Sequence, residues 1–244
     1  MSRENSFRRT AGITAIASAG GIIAATVVLF AAVDFDADAM ADPGLLLTLE
    51  VSRTDLFRWG SYLELLAPTL LIVPAALFLW YWLRTRGHGL VTTYTVFGLA
   101  NLFMAATGSV LRATAWPVMI TAHAQASETQ AEVLATVFQA ATDFSFGGMW
   151  ALEQLLWGVW WLGIGWILRS EKTALGIVTA VLGAAFLVGG TGWILDVDAL
   201  ARMESAFFFV PIWAVWLGVV ILRQPLQMTD IARDPTDAAE ESTV

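Results

Sequence analysis

Six long apolar stretches, each closed by charged or polar residues, dominate the hydrophobic pattern of this chain. The hydrocarbon core of a bilayer is about 30 Å thick and needs roughly 20 apolar residues in a helix that crosses it. The pattern therefore predicts six transmembrane helices, at residues 11–33, 62–83, 90–110, 149–168, 174–195 and 205–222.

The predicted fold class is an all-α, polytopic membrane helix bundle. A single six-helix transmembrane domain is expected over residues 1–228. The remaining residues, 229–244, form an acidic tail whose polar composition is typical of disordered segments.

Two connections on the side opposite the termini are longer than a turn requires. Residues 43–59 and 127–141 both carry apolar side chains at helical spacing, and Ser127 with Gln130 matches a capping box. These segments predict two extra outer amphipathic helices, which either cap the bundle or lie among the lipid headgroups.

Composition supports the membrane assignment, since the chain is 57% hydrophobic and only 14% charged. A soluble domain of this size could not bury so much apolar surface in one core. The chain has no cysteine, which excludes disulfides and thiolate chemistry.

Basic residues predict the orientation, because Lys and Arg accumulate beside the cytoplasmic ends of membrane helices. Nine lie in segments on the side of the termini and four on the other side. The first group is Arg3, Arg8, Arg9, Arg84, Arg86, Arg169, Lys172, Arg223 and Arg233, and the second is Arg53, Arg58, Arg112 and Arg202. A multi-pass protein of the cell membrane with both termini in the cytoplasm is expected. Its net charge of −8 argues against nucleic acid as a partner.

Ionisable residues inside membrane helices are the strongest functional pointers, since each is costly in hydrocarbon. Glu64 and Glu153 are the two acids within the predicted spans, and Arg112 follows the third span at a similar depth. Asn101 lies on the same helical face as Arg112. These residues could meet in an outward-facing polar cluster, or the acids could extend to water and the arginine could fix helix register.

Trp157 and Trp160 lie one helical turn or two beyond Glu153. A carboxylate beside indole faces suits an organic cation, through charge and cation–π attraction. The alternative is that the indoles simply fill the bundle.

Several kinds of chemistry are absent from the sequence. The single lysine, Lys172, and both histidines, His88 and His123, fall in predicted loops, which argues against a retinal or haem protein. No zinc-protease, serine-hydrolase or P-loop motif is present. The sequence thus predicts no catalytic residues, no metal site and no cofactor. The weaker alternative is a membrane enzyme that uses carboxylate chemistry.

Three tracts carry a family resemblance: the opening Phe7-Arg8-Arg9-Thr10-Ala11-Gly12-Ile13, the run from Trp157 to Ser170, and Leu175-Gly176-Ile177. They resemble a broad group of uncharacterised prokaryotic six-helix membrane proteins that share a domain of unknown function. The chain has Lys172-Thr173-Ala174 where that group often has a proline before the Leu-Gly pair. The resemblance implies a six-helix fold over nearly the whole chain and no mechanism.

Two functions remain in view. The first is a non-catalytic membrane subunit or scaffold that contacts a protein partner, or a second copy, through its glycine and tryptophan faces. The second is a binding or transport protein for a small cationic or amphiphilic ligand, with Glu64, Asn101, Arg112, Glu153, Trp157 and Trp160 as the pocket. The sequence does not identify that ligand.

Overall fold

The computed structural model describes residues 3–36, 39–40 and 42–224. Within these ranges the chain is helical, without strands. The helices are α1 (Arg3–Ala32), α2 (Pro43–Leu47), α3 (Thr54–Glu64), α4 (Val73–Leu83), α5 (His88–Ala124), α6 (Glu128–Asp143), α7 (Ala151–Leu168), α8 (Thr173–Leu195), α9 (Asp198–Ala201) and α10 (Val210–Arg223). Short 3₁₀-helices cover Val51–Arg53, Arg84–Arg86 and Arg202–Phe209, and π-helices cover Leu65–Leu70 and Phe144–Trp150.

Six of the helical runs are long and apolar enough to cross a membrane, which confirms the predicted polytopic all-α bundle. We call them spans 1 to 6. They are Glu4–Ala32, Val51–Arg86, His88–Ala124, Glu128–Leu168, Thr173–Leu195 and Asp198–Arg223. The Arg8 guanidinium donates to the backbone carbonyl of Gln224, so both ends of the described chain meet on one side of the bundle. We refer to this as the termini side and to the other as the far side.

Spans 2 and 4 are longer than predicted because, on the far side, each continues into residues that the sequence predicted as part of a separate outer helix. Each of these two spans also contains a π-helix. Pro68 lies in the first π-helix, and a Gly147-Gly148 pair lies in the second. A π-helix joins residues five apart, as Leu71 N–H does in donating to Leu66 O at 2.9 Å. The backbone therefore continues through both segments.

The two predicted outer segments are largely helical, and only α2, which ends before the non-helical residues 48–50, is separate from a span. Residues 43–59 divide into α2, a 3₁₀ turn and the start of α3. Residues 127–141 belong to α6, whose start is fixed by the Gln130 side-chain oxygen, which accepts from the Ser127 backbone N–H at 3.1 Å. Span 3 is also extended, since α5 has 37 residues.

A second hydrophobic core lies at the far side, which we call the cap. Phe57, Trp116 and Phe138 form its centre, with Trp116 5.5 Å from Phe57 and 5.3 Å from Phe138 between ring centroids. Leu46 of α2 and Ile120 of α5 also belong to the cluster. At about 1.5 Å per residue α5 is roughly 55 Å long, so about 25 Å of it extends beyond a 30 Å hydrocarbon layer. The cap thus holds together the parts of the helices that project from the bundle.

The main core is built around α7 and α8, which pack backbone to backbone. A Cβ on Gly183 would lie 2.3 Å from Leu162 N, and one on Gly165 would lie 2.4 Å from Ala180 N. Only glycine permits this approach, which is typical of helix contacts in membranes. The α1 helix packs on α10, and α5 packs on α7, so span 4 is central.

The division of the chain at residue 228 stays a prediction. The acidic tail, residues 229–244, lies outside the described residues.

Candidate functional site

An ion pair links spans 2 and 3 inside the bundle. Glu64 is the last residue of α3, and its carboxylate pairs with the Arg112 guanidinium on α5. The side chain of Arg112 is 10% exposed and that of Glu64 is 21% exposed. Ser109, one turn before Arg112, accepts a second bond from the guanidinium at 3.5 Å. The arginine that the sequence placed after span 3 is therefore within the helix and buried.

Glu153 lies beside this pair but is not part of it. It is in the first turn of α7, directly after the second π-helix, and is 9% exposed. Across the described part of the chain, no hydrogen bond or ion pair reaches its carboxylate. A buried carboxylate without a partner is costly, so this position requires an explanation.

These side chains surround a narrow cavity of about 20 Å³, which we call the inner cavity. Its lining residues come from spans 2, 3, 4 and 6. They are Glu64, Pro68, Thr69, Asn101, Leu102, Ala105, Ser109, Arg112, Trp150, Glu153, Trp157 and Phe207. A volume of this size holds about one water molecule.

The inner cavity is lined by two acids and one arginine, and several polar atoms of its lining residues lack partners. With both acids ionised, these three groups give a formal charge of −1. Asn101 Oδ1, Thr69 Oγ1 and Trp157 Nε1 are buried without hydrogen bonds. Two of these are oxygen acceptors, as is the carboxylate of Glu153, so the cavity offers a set of ligands for a positive charge.

Five of the six predicted site residues line this cavity: Glu64, Asn101, Arg112, Glu153 and Trp157. Trp160 does not. It is fully buried against α5, where a Cβ on Gly98 would lie 2.4 Å from its indole Cδ2. Trp160 therefore packs the bundle. Whether any of the six predicted residues binds a ligand stays a prediction.

Sequence reasoning missed a third acid, Glu204. Its Oε2 accepts from the indole N–H of Trp193 at 2.9 Å and of Trp150 at 3.0 Å, and from Gln154 Nε2 at 3.3 Å. Glu204 is one residue before the predicted sixth span, so it was assigned to a loop. The signal that could have found it is the pair of tryptophans at the same depth, because a buried indole N–H needs an acceptor.

A larger cavity, the vestibule, opens beside Glu204 at the far side, with a volume of about 350 Å³. Trp193, Asp196, Asp198, Arg202 and Glu204 are among its lining residues. Glu204 thus borders the vestibule, while its hydrogen-bond donor Trp150 borders the inner cavity.

The fold and the site define a multi-pass membrane helix bundle with a buried cavity lined by two acids and one arginine. The chain belongs to the family described as "Domain of unknown function (DUF4386)", whose model matches residues 10–223. No curated protein matches the chain. No solved structure matches it either.

Proposed function

We propose that this protein binds a small monovalent cation in the inner cavity, with Glu153 as the principal ligand. The observation that carries the proposal is the unpartnered carboxylate of Glu153, nine-tenths buried in a cavity of formal charge −1. One bound positive charge would neutralise the cavity and remove the cost of burying that carboxylate.

The neighbouring residues support distinct roles. Arg112 is held by Glu64, which leaves Glu153 available for a ligand. Asn101 Oδ1 and Thr69 Oγ1 offer neutral oxygens without other partners. Trp157 presents an indole that would attract a cation through its face.

Volume supports an inorganic or ammonium-sized cation over a larger organic one. The inner cavity has about 20 Å³, close to the space of a single water molecule. An amphiphilic or alkylammonium ligand would need the surrounding helices to move apart.

We also propose that the far side faces the cell exterior. The nine-to-four distribution of basic residues that the sequence predicts supports this orientation. The inner cavity would then be filled from outside the cell.

Thermal unfolding of the purified chain tests cation binding. Wild type and Glu153→Gln are compared in chloride salts of lithium, sodium, potassium and ammonium, with N-methylglucamine chloride keeping ionic strength constant. Binding at a hundredfold excess over Kd stabilises by about 2.7 kcal/mol, which corresponds to a rise in Tm of roughly 5–10 °C for a chain of this size.

Glu128→Gln is the matched control, because Glu128 is an exposed glutamate on α6 that does not line the inner cavity. The rise should persist in Glu128→Gln and vanish in Glu153→Gln. Two results overturn the proposal. One is a rise in Tm of equal size in Glu153→Gln, and the other is a wild-type Tm that is the same in every small-cation salt as in N-methylglucamine chloride.

A non-catalytic subunit or scaffold is the second candidate. The sequence supported it through glycine and tryptophan faces, and these faces are used for packing within one chain. Gly165 and Gly183 lie between α7 and α8, and the rings of Trp161 and Trp213 have centroids 4.0 Å apart. That packing favours the first candidate. Mass spectrometry of the protein in a gentle detergent tests the second, which predicts a co-purifying partner or a second copy.

A further inference from the structure

A hydrogen bond joins a residue of the vestibule, Glu204, to a residue of the inner cavity, Trp150. Glu204 lines the vestibule, and Trp150 lines the inner cavity together with Phe207. Trp150 and Phe207 are packed edge to face, with ring centroids 6.2 Å apart. We name these three residues the access contact.

The access contact is carried by a segment of unusual geometry. Arg202–Phe209 is a 3₁₀-helix of 8 residues between two α-helical parts of span 6. Runs of that length are uncommon, and a 3₁₀ stretch within a helix often marks a hinge. In a 3₁₀-helix residues three apart share one face, so Glu204 and Phe207 both point toward span 4, with Glu204 about 6 Å nearer the far side.

Hydrogen bonds tie this 3₁₀ segment to spans 4 and 5. The Glu204 carboxylate accepts from Trp150, Trp193 and Gln154, which lie on spans 4 and 5. Gly192 of α8 allows α9 to approach closely, since a Cβ at this position would lie 2.2 Å from the backbone nitrogen of Ala201. A change at Glu204 would therefore release the segment from both neighbouring spans at once.

We infer that Glu204 controls access: the vestibule is the route by which a cation reaches the inner cavity, and breaking the Glu204–Trp150 bond opens that route. This inference rests on the proposed function for the identity of the ligand. Opening requires Glu204 to exchange two indole donors and one amide donor for water or for an arriving cation. Phe207 then no longer has Trp150 as its fixed neighbour.

A single-cysteine experiment tests the access contact, because the native chain contains no cysteine. Ser109→Cys is a nearly isosteric reporter in the lining of the inner cavity, and Ser127→Cys is an exposed reference. The probe is Ag⁺, a thiol-reactive monovalent cation small enough for the inner cavity, added as the nitrate in chloride-free buffer to the full chain in nanodiscs. The rate of modification is measured from the fraction of cysteine that a maleimide can still label after denaturation. Each reporter is combined with Glu204→Ala, Glu204→Gln, Phe207→Ala and Asp198→Asn.

Glu204→Ala should raise the rate at the Ser109 reporter at least about tenfold, since one hydrogen bond to a charged acceptor is worth roughly that factor. Glu204→Gln keeps an acceptor oxygen and should give a smaller increase. Asp198→Asn removes the same charge from the vestibule without touching the access contact, and should change the rate less than about twofold. Rates at the Ser127 reporter should be equal in all backgrounds.

Two results would overturn the inference. One is an unchanged rate at the Ser109 reporter in both Glu204→Ala and Phe207→Ala, and the second variant guards against a folding defect in the first. The other is an increase in the rate at the Ser109 reporter that is as large for Asp198→Asn as for Glu204→Ala, which would assign the effect to charge in the vestibule.

The same proteins separate this inference from the proposed function. A salt-dependent rise in Tm that Glu153→Gln abolishes, together with unchanged labelling, keeps the cation site and rejects the access route. Accelerated labelling without any salt-dependent rise keeps the access route and rejects the cation site.

Discussion

Replacing Arg112 by glutamine should destabilise the protein more than replacing its partner Glu64 by glutamine. With Arg112→Gln the inner cavity keeps two acids and no cation, so its formal charge falls to −2. With Glu64→Gln it keeps Arg112 and Glu153, and its formal charge becomes zero. The two variants remove the same ion pair but have opposite effects on the charge of the cavity.

The expected size follows from burial. Breaking a fully buried ion pair costs about 3–5 kcal/mol and breaking an exposed one about 0–1. Arg112 is 10% exposed and Glu64 is 21% exposed, which places this pair near the buried limit. We therefore expect a loss of about 2–4 kcal/mol for Arg112→Gln and about 1 kcal/mol for Glu64→Gln. For a chain of this size the larger loss lowers Tm by roughly 4–16 °C.

The assay is thermal unfolding of both variants in one detergent, in N-methylglucamine chloride so that no small cation contributes. Adding Glu153→Gln to Arg112→Gln serves as the internal control, because it returns the formal charge to −1 and should recover part of the loss. Equal losses for the two single variants would refute the charge argument. So would a double variant no more stable than Arg112→Gln alone.

Three further predictions follow from packing and topology. Gly183→Ala should cost about 1–3 kcal/mol, because the added methyl meets backbone, whereas Gly20→Ala, with open space around it, should be neutral or slightly stabilising in the same unfolding assay. Trp116→Ala should loosen the cap by about 3–5 kcal/mol and speed proteolysis at the turn between α5 and α6, while a cleavage rate equal to wild type would contradict its central place there. In intact cells a membrane-impermeant maleimide should label Ser127→Cys and spare Ser170→Cys, and the reverse pattern would show that the far side is cytoplasmic.

The number and course of the spans were predictable because hydrophobic length is a strong signal. Their far-side ends were not. The Gly147-Gly148 pair is an ordinary helix-breaking signal just before the predicted start of span 4 at residue 149, yet a π-helical turn carries the backbone past it. Sequence periodicity does not distinguish a break from such a turn, because the outcome depends on packing against neighbouring spans.

The candidate site was predictable to the extent that isolated charges mark it. Glu64, Glu153 and Arg112 were selected by their cost in hydrocarbon, and the structure brings them to one cavity. Trp160 was selected by proximity along α7, but its side chain points to Gly98 on the neighbouring helix. Glu204 was missed because its depth depends on where span 6 begins, which is the least certain property of an apolar stretch.

The cap has a practical consequence for imaging this small protein. A detergent micelle or nanodisc surrounds only the apolar belt, so roughly 25 Å of α5 and the helices packed on it would stand clear of the disc. This protruding cap makes the two faces of the membrane distinguishable in images, where six similar helices alone would look nearly symmetric. Particles could be oriented by it, and an antibody fragment raised against α6 would add mass at a rigid point.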